Sequence, residues 1–568
     1  MNEQIVWIVL KRLRIPFLVI IVTFAISILG LVLIPGVDDQ GHVYHMTFFD
    51  AFYFVTYMAS TIGFGEAPYS FNYEQRMWVS FAIYFTVIGW FYGIGAIVAL
   101  IQDEGLRRAL NLNIFRKQVE NLHDPFYIIL GYNAVTKTII NKINGVDYRA
   151  VVLDKSSQKI EELILENFYP HVPASVGDAT NQQMLKMAGI HQKNCKGVIS
   201  LFENDMVNAN IATLCMLLNK KIDIIIKATS PEQVSHFKNM GLEHVQNPFE
   251  IISKRIYFGL TSPHIWLLEM WMYGHILKLK KRDRFPKGKY IIFGSGRMGK
   301  AIAEGLERAN IEYVLKSFNS KKYIEKKDTA IFGDEEDMQN LLALGIKESA
   351  CIIAATKNDI LNLTILNSAK QLNPDIFTMG RENSLDDLNI FKAAKINKIY
   401  VVEKILADAT YNFISRPLVD TFIREARKQT EEWAEVIVNM LNNITGMNPK
   451  YYETQFNNEN AYALSLELEK GECVTLANLR RSRENKDEML QIVFLLLKRG
   501  DQVYLMPDSQ MPLELGDELL SVADEDVYED FEYIINNIYE LNYVLDRDET
   551  NNLSYFKSWG KNGKNTNA

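Results

Sequence analysis

The chain has 568 residues, of which 48% are hydrophobic and 23% are charged, and its net charge is −8. This length is too great for one hydrophobic core and indicates three or four domains, while the negative charge argues against general nucleic-acid binding. The four cysteines form no C-x-x-C pair, which excludes a disulfide scaffold and a cysteine zinc site. No H-E-x-x-H, G-x-S-x-G or G-x-x-x-x-G-K-[ST] motif occurs, so the sequence predicts no enzyme of those classes.

Two uncharged segments near the N-terminus are long enough to cross a bilayer. Residues 15–34 lack charge over 20 positions and residues 77–101 lack it over 25, and each helix could span roughly 30 Å of hydrocarbon. A secretory signal is the alternative for the first segment, but its apolar run is too long and no small-x-small cleavage site follows. We therefore predict transmembrane helices at about 13–34 and 77–101.

Flanking charges predict the orientation of these helices. Arg12 and its basic neighbours precede the first helix, Arg107 and Arg108 follow the second, and the connection between the helices is mainly acidic. Because basic residues favour the cytoplasmic side, both termini are predicted to be cytoplasmic in a multi-pass protein of the cell (plasma or inner) membrane.

The segment between the two helices has an unusual composition. Residues 46–60 are aromatic and apolar but too short to cross, and the sequence Ser-Thr-Ile-Gly-Phe-Gly follows at 60–65. Non-helical backbone at membrane depth is tolerated only where protein buries it or water lines it. Carbonyl groups that all face one axis require unusual dihedral angles at alternate residues, and Gly63 and Gly65 have the right period. The alternative is an ordinary glycine-containing turn.

This segment resembles the selectivity filter of potassium channels, whose usual form is T-V-G-Y-G. The resemblance implies a pore helix at 46–60 and a filter at 61–65, with K⁺ held by main-chain oxygens of Thr61, Ile62, Gly63 and Phe64. Glu66 stands where the family usually has Asp and would place a negative ring at the outer mouth. The resemblance also implies a homotetramer in a lipid bilayer, because one chain supplies one of four filter strands.

Glycines in the second helix have two possible roles. In two-span potassium channels an inner-helix glycine acts as a gating hinge, and Gly89 and Gly93 are the candidates here. Close helix packing is the alternative for both glycines.

From residue 126 onward the sequence contains an internal repeat. Segments at 126, 175 and 197 are matched by segments at 290, 331 and 350, at offsets of about 155 to 163 residues. Each copy alternates β-branched runs with helical stretches and has a glycine-containing first turn. This pattern predicts Rossmann-like, doubly wound parallel sheets.

The second copy carries a full nucleotide-binding fingerprint after the run Tyr-Ile-Ile-Phe. Its glycines would allow a tight turn and close approach of a phosphate to a helix N-terminus. Lys316 stands where such sites usually have an acidic residue that binds the ribose. A cation at this position opposes ordinary NAD recognition, although it could contact an extra phosphate. The candidate nucleotide-binding residues of this copy are Gly294, Ser295, Gly296, Arg297, Met298, Gly299, Lys316, Asp334 and Thr356.

The first copy departs from the fingerprint in the opposite way. It keeps the acidic residue, Asp154, but has lost two of the three glycine positions after Gly131. A Rossmann fold without a dinucleotide is one interpretation, and a mononucleotide held through Gly131, Asn133, Asp154 and Asp178 is the other.

These copies resemble RCK domains (regulators of K⁺ conductance) and Trk-type nucleotide-binding subunits over residues 126–410, and residues 471–527 resemble the small C-terminal lobe attached to such domains. The predicted fold class is an α-helical two-span membrane pore domain plus α/β cytoplasmic domains, with two Rossmann-like repeats and a small α/β C-terminal lobe. The predicted boundaries are a pore domain at 1–104, a linker at 105–125, a first RCK domain with crossover helices at 126–284, a second RCK Rossmann lobe at 285–430, a C-terminal lobe at 431–548 and a disordered tail at 549–568.

Some RCK domains bind calcium through carboxylates near the ends of the fourth and fifth strands. The matching positions of the first copy are Leu201, Lys227 and Thr229, so that form of calcium site is predicted to be absent. A Ca²⁺ or other divalent site elsewhere stays open, with no predicted position.

The resemblances together imply a non-enzymatic, potassium-selective, ligand-gated channel whose regulatory ligand is a nucleotide such as NAD or ADP. One alternative is a nucleotide-sensing regulatory subunit of a potassium transporter, which leaves the pore-like segment unused. A membrane-anchored NAD(P)-dependent oxidoreductase is a further alternative, but no catalytic acid, base or nucleophile is visible.

Overall fold

A computed structural model describes residues 3–146, 148–242, 244–279, 285–316, 335–383, 388–444 and 449–547. The chain divides into two compact units. The first consists of residues 1–124, 151–160 and 173–192, and the second of residues 125–150, 161–172 and 193–568.

The N-terminal region consists of helices, one short hairpin and a loop at residues 60–72. Its elements are α1 (Glu3–Leu33), β1 (Gly36–Val37), β2 (Val43–Tyr44), α2 (Phe48–Ala59), α3 (Tyr73–Ile101) and α4 (Glu104–Glu120). By length and composition, Val9–Leu33 and Tyr73–Ile101 could each cross a membrane. The predicted transmembrane helices overlap these two, the predicted pore helix contains α2, and most of the predicted linker is helix α4.

The first repeat forms a six-stranded sheet with the strand order β5-β4-β3-β6-β7-β8. Its elements are β3 (Phe126–Leu130), α5 (Ala134–Ile143), β4 (Arg149–Asp154), α6 (Ser157–Leu165), β5 (Ala174–Val176), α7 (Gln182–Met187), β6 (Cys195–Ser200), α8 (Asp205–Leu218), β7 (Asp223–Lys227), α9 (Pro231–Asn239) and β8 (His244–Gln246). The chain reverses direction across the sheet at β3, as in a doubly wound fold. Helices α10 (Pro248–Thr261) and α11 (Pro263–Met272) follow it.

The second repeat forms a parallel sheet of five described strands in the order β10-β9-β11-β12-β13. Its elements are β9 (Tyr290–Phe293), α12 (Arg297–Arg308), β10 (Tyr313–Lys316), α13 (Glu335–Ala343), β11 (Cys351–Ala354), α14 (Asp359–Leu372), β12 (Phe377–Glu382), α15 (Leu388–Ala393) and β13 (Lys398–Val401). The counterpart of β5 falls within residues 317–334, outside the described residues. The predicted Rossmann-like repeats are confirmed.

A small α/β lobe ends the described chain, after helices α16 (Val402–Ser415), α17 (Pro417–Ala426) and α18 (Glu431–Ile444). Its antiparallel sheet has the order β14-β17-β15-β16. The lobe consists of β14 (Lys450–Gln455), α19 (Tyr462–Glu469), α20 (Leu476–Leu479), β15 (Val493–Arg499), β16 (Gln502–Leu505), β17 (Glu518–Ala523), α21 (Glu525–Asn536) and α22 (Ile538–Val544). The predicted tail at 549–568 lies outside the described residues.

In each repeat, the helix that follows the sheet packs on the first helix of the other repeat. Helix α10 packs on α12, where a Cβ added at Gly305 would lie 2.6 Å from the Ser253 carbonyl oxygen. Reciprocally, α16 packs on α5 through a 2.5 Å contact between Lys142 Nζ and Asp408 Oδ1, and Lys142 Nζ also lies 4.9 Å from the Tyr411 ring. This exchange joins residues of the two repeats in one unit.

A buried ion triad links three of the helices that follow the sheets. The Glu269 side chain on α11 is fully buried, with Arg255 Nε 3.3 Å from its Oε1 and Arg427 Nη2 2.6 Å from its Oε2. Burial alone would raise the pKa of Glu269, but the two guanidinium groups hold that pKa below its ordinary value. The carboxylate is therefore buried in its charged form.

We expect Glu269→Gln to lower the free energy of unfolding by about 3–5 kcal/mol, because it leaves two buried cations without their anion. The measurement is the apparent melting temperature of the purified full-length protein. Glu525→Gln is the control, because it breaks an exposed 2.6 Å contact with Lys450 and should change little. Equal shifts for the two variants would contradict a stabilising role for the triad.

Candidate functional site

The loop after α2 has the alternating backbone that the sequence predicts. The φ angle is +67° at Gly63 and +101° at Gly65, and Thr61 also lies in the left-handed region at +62°. Ile62 and Phe64 between them have no such angle, and their side chains are 60% and 71% exposed. Alternate residues of 61–65 thus adopt the conformation that glycine favours, although the sequence did not predict it for Thr61.

Helix α2 supports this loop through an aromatic residue that the sequence analysis did not single out. The Tyr57 hydroxyl donates a hydrogen bond to the Gly65 carbonyl oxygen, and the Tyr57 and Phe64 rings meet edge to face at 5.6 Å. The Ile62 N–H donates to the Tyr57 carbonyl oxygen at 3.0 Å. Tyr57 therefore contacts both ends of the loop.

Glu66 is paired in the structure. Its two carboxylate oxygens lie 2.9 and 3.1 Å from Arg76 nitrogens, and Oε2 also accepts a hydrogen bond from the Phe71 N–H at 2.8 Å. The bond to Arg76, followed by that to Phe71, lowers the pKa of Glu66. Arg76 thus offsets part of the negative charge predicted at this position.

The two glycines predicted as hinge candidates line the contact between α1 and α3. A Cβ at Gly89 would lie 2.8 Å from Thr23 Oγ1, and one at Gly93 would lie 2.5 Å from Ile20 Cδ1. In this conformation both positions serve close helix packing, while a hinge role stays a prediction.

The chain turns a corner between α3 and α4 at Asp103. Its backbone is extended (φ −67°, ψ 115°), and its carboxylate caps α4 by accepting a hydrogen bond from the Leu106 N–H at 2.8 Å. The same carboxylate lies 2.6 Å from Arg12 Nη2 on α1. The corner is thus fixed to the N-terminal part of α1.

The three fingerprint glycines of the second repeat have distinct roles. Gly294 has φ +110°, and a Cβ there would lie 2.8 Å from the Ala355 carbonyl group. A Cβ at Gly299 would lie 1.8 Å from the Gly294 oxygen, whereas one at Gly296 would contact nothing within 4 Å. Gly296 is also the N-cap of α12 and supplies no side-chain cap. An N-terminus without a side-chain cap from its N-cap residue is the kind of helix end that can bind a phosphate.

The other predicted residues of this site have different surroundings. Lys316 ends β10 with an exposed side chain, and its carbonyl oxygen accepts a hydrogen bond from the Gly294 N–H at 3.0 Å. Ser295 lies in the turn and Arg297 begins α12, with its guanidinium 5.0 Å above the Phe249 ring. Met298 is fully buried and is a packing residue. Asp334 lies outside the described residues.

Thr356 belongs to a local network built on a buried asparagine. Its N–H and hydroxyl both donate to Asn362 Oδ1, at 3.0 and 2.6 Å, and Asn362 Nδ2 donates to the Arg381 carbonyl oxygen at 2.9 Å. In the first repeat Asn208 makes the matching bond to the Lys227 carbonyl oxygen. This pair was not predicted, although both asparagines stand at the same place in the repeat.

In the first repeat, a side chain caps the N-terminus of α5, the helix that corresponds to α12. Asn133 caps α5 by accepting a hydrogen bond from the Thr136 N–H at 3.0 Å, within a capping box. Gly131 has φ +86°, and a Cβ there would lie 2.7 Å from the Phe202 ring. The Asn133 side chain thus occupies a donor that a phosphate would otherwise use.

The two acidic residues predicted as ligands in the first repeat each accept a hydrogen bond from the N–H two residues later in the chain. Asp154 ends β4, and its Oδ1 accepts a hydrogen bond from the Ser156 N–H at 2.7 Å. Asp178 accepts from the Thr180 N–H at 2.9 Å. Hydrogen bonds from Thr180, followed by the Lys155 contact, lower the pKa of Asp178.

Over the described ranges, no group of three or more His, Cys, Asp or Glu residues is arranged to hold a metal ion. At the positions matched to RCK calcium ligands, Lys227 contacts the Glu203 carboxylate, and Thr229 donates to Asp205 Oδ2 at 2.9 Å.

Two alanine substitutions distinguish an effect on ligand binding from an effect on stability. We expect Gly296→Ala to preserve the apparent melting temperature but to weaken ADP and NAD binding at least about tenfold (~1.4 kcal/mol), because the methyl group stands where a phosphate approaches. Gly299→Ala should instead lower the melting temperature, because its Cβ has no room. Calorimetric titration of the full-length protein measures binding, and an unchanged affinity in Gly296→Ala would place the ligand elsewhere.

Curated relatives match parts of this chain. Potassium channel protein 1 of Methanocaldococcus jannaschii is 27% identical over 256 residues, covering 45% of this chain and 72% of the relative. Probable potassium channel protein 2 of the same organism is 27% identical over 169 residues, covering 28% and 49%. A Trk system potassium uptake protein TrkA homolog of Pyrococcus horikoshii is 30% identical over 134 residues, covering 23% and 59%. The matched part is about half of the second and third relatives.

Among solved structures, the GsuK channel aligns over 94% of this chain and 100% of its own, with 15% identity and a TM-score of 0.46.

The TrkA-N domain family model matches the chain twice, at residues 127–248 and 290–402. These segments coincide with the two sheets and with the two glycine-containing first turns. Over these two segments the chain is therefore similar to TrkA-N domains.

Proposed function

We propose that the protein is a potassium-selective channel whose opening is controlled by nucleotide binding to its TrkA-N domains. The observation that carries the proposal is the loop at 61–66, which has positive φ angles at Thr61, Gly63 and Gly65 and lies between two helices long and apolar enough to span a membrane. Relatives named potassium channel proteins support it.

The proposed permeation path uses main-chain oxygens. In a homotetramer, four copies of residues 61–65 surround one axis, and the carbonyl groups of Thr61, Ile62, Gly63 and Phe64 replace the hydration shell of K⁺. Exposed apolar side chains along α1 and α3 would then face lipid or the neighbouring copies, and both termini would be cytoplasmic.

The proposed sensor is the second repeat, because its helix terminus is open and its three glycines fit the close approach of a pyrophosphate. NAD or an adenine nucleotide such as ADP is the proposed ligand class, with Lys316 placed to meet an added phosphate. Ligand binding shifts the equilibrium between conformations by its difference in affinity for them. The proposed division is a pore domain at 1–104, a linker at 105–125, RCK lobes at 126–284 and 285–430 and a C-terminal lobe at 431–548.

A regulatory subunit of a separate transporter is the second candidate, because the Pyrococcus relatives are named as parts of a Trk system. Purified protein reconstituted alone into bilayers distinguishes the two functions. Potassium-selective current that responds to nucleotides supports the channel, and nucleotide binding without current supports the subunit.

We expect Gly63→Ala to abolish potassium current. Its φ of +67° is strained for a residue with a Cβ, so the carbonyl that faces the axis should turn away. Gly95→Ala is the control, because a Cβ at Gly95 contacts nothing within 4 Å in the structure. Bilayer recording in potassium and sodium gradients gives the result, and normal selective current through Gly63→Ala would refute the filter assignment.

We also expect the Arg12–Asp103 ion pair to influence gating. Arg12→Gln and Asp103→Asn should each change the half-maximal nucleotide concentration in the same direction by about two- to fivefold, and the double variant should go no further. Asp103→Asn keeps a good N-cap while removing the charge. Arg14→Gln removes a nearby exposed cation as the control, and additive single effects would contradict a direct pair.

A further inference from the structure

Three cations lie at the carboxyl end of the second sheet. Lys357 follows β11, Arg381 is the penultimate residue of β12 and Arg297 is the first residue of α12. Ala354 pairs with both Phe293 and Gly380. Phe293, Ala354 and Gly380 therefore form one row across the sheet. Gly294 and Arg381 each lie one residue beyond that row, after Phe293 of β9 and Gly380 of β12, and β11 lies between these two strands.

Arg381 lies on the face of the sheet that α12 covers. Phe377 and Met379, four and two residues before Arg381 in β12, pack in the same core as Met298 of α12. Because side chains alternate along a strand, Arg381 projects to this face as well. It therefore stands on the same side as Arg297 and the open N-terminus of α12.

The positive charge of Arg381 is only partly compensated. Its Nε is buried and has no hydrogen-bond partner. Burial, followed by the positive charge of Arg297, lowers the pKa of the Arg381 guanidinium, although Asp359 and Glu203 act in the opposite sense. Asp359 is itself occupied by Asn383, whose N–H lies 3.0 Å from Oδ1.

In the first repeat, the positions that correspond to Lys357 and Arg381 hold an ion pair. Lys227 and Glu203 occupy the places of Arg381 and Lys357, as the matching roles of Asn208 and Asn362 fix the correspondence. Lys227 is buried and contacts the Glu203 carboxylate. In the second repeat a lysine replaces the acid, so an ion pair has become two cations.

We propose that Lys357 and Arg381, together with Arg297, form a subsite for the outer phosphates of a nucleoside polyphosphate bound at Gly294–Gly299. This inference rests on the proposed nucleotide-sensing function and specifies its ligand class. Repulsion among the cations is relieved when an anion binds between them, so affinity rises with the number of phosphates. The first repeat, with its ion pair, lacks this preference.

The test compares AMP, ADP and ATP binding to the purified full-length protein by calorimetry. In the wild type, affinity should rise from AMP to ATP. Lys357→Glu copies the ion pair of the first repeat and should reduce the ratio of ATP to AMP affinity by at least about tenfold. Arg381→Gln should reduce the same ratio, with AMP affinity nearly unchanged in both variants.

Lys347→Glu is the matched control, because it makes the same charge change at an exposed residue that precedes β11 at the opposite end of the sheet. The apparent melting temperature without ligand is a second readout. A ligand-binding role predicts an unchanged or raised value in Lys357→Glu, since repulsion is removed, whereas a purely structural role predicts a fall.

The possible failures are distinct. An ATP to AMP ratio that is unchanged in Lys357→Glu, or that falls equally in Lys347→Glu, would overturn the subsite. The absence of nucleotide binding by the wild type would instead overturn the proposed sensor function, on which the subsite depends.

Discussion

The reciprocal exchange of helices α10 and α16 is the packing constraint on which the paired repeats depend. Each helix leaves its own sheet and buries its apolar face on the first helix of the other repeat. Gly305 permits the close approach on one side, since any Cβ there would meet the Ser253 carbonyl oxygen. Helix α12, which carries the nucleotide fingerprint at its N-terminus, therefore also packs on a helix that follows the other sheet.

The two repeats share a fold but have diverged at the positions where a ligand would bind. A side chain caps α5, while the N-cap residue of α12 is a glycine that supplies no side-chain cap. An ion pair in the first repeat corresponds to two cations in the second. Both arrangements are compatible with the fold, because each repeat has the sheet and the buried asparagine whether or not a side chain caps its first helix.

Residues whose type reports directly on the backbone were predictable from the sequence. Gly294 has the positive φ of a tight turn, a Cβ at Gly299 would meet the Gly294 oxygen, and Gly63 and Gly65 have the positive φ angles that a carbonyl-lined loop requires. Contacts between side chains distant in sequence were not predictable. The Arg12–Asp103 pair joins two helices whose relative rotation no sequence period specifies. The Glu66–Arg76 pair depends on the path of the connecting loop.

The break between α3 and α4 has a mechanical consequence. A continuous helix transmits both tension and torsion, because its hydrogen-bond ladder resists unwinding. At Asp103 the backbone is extended and the ladder is interrupted, so the hydrogen bonds of α4 do not continue into α3. The contact with Arg12 and the cap on the Leu106 N–H hold this joint, so its geometry depends on one carboxylate rather than on a continuous helix.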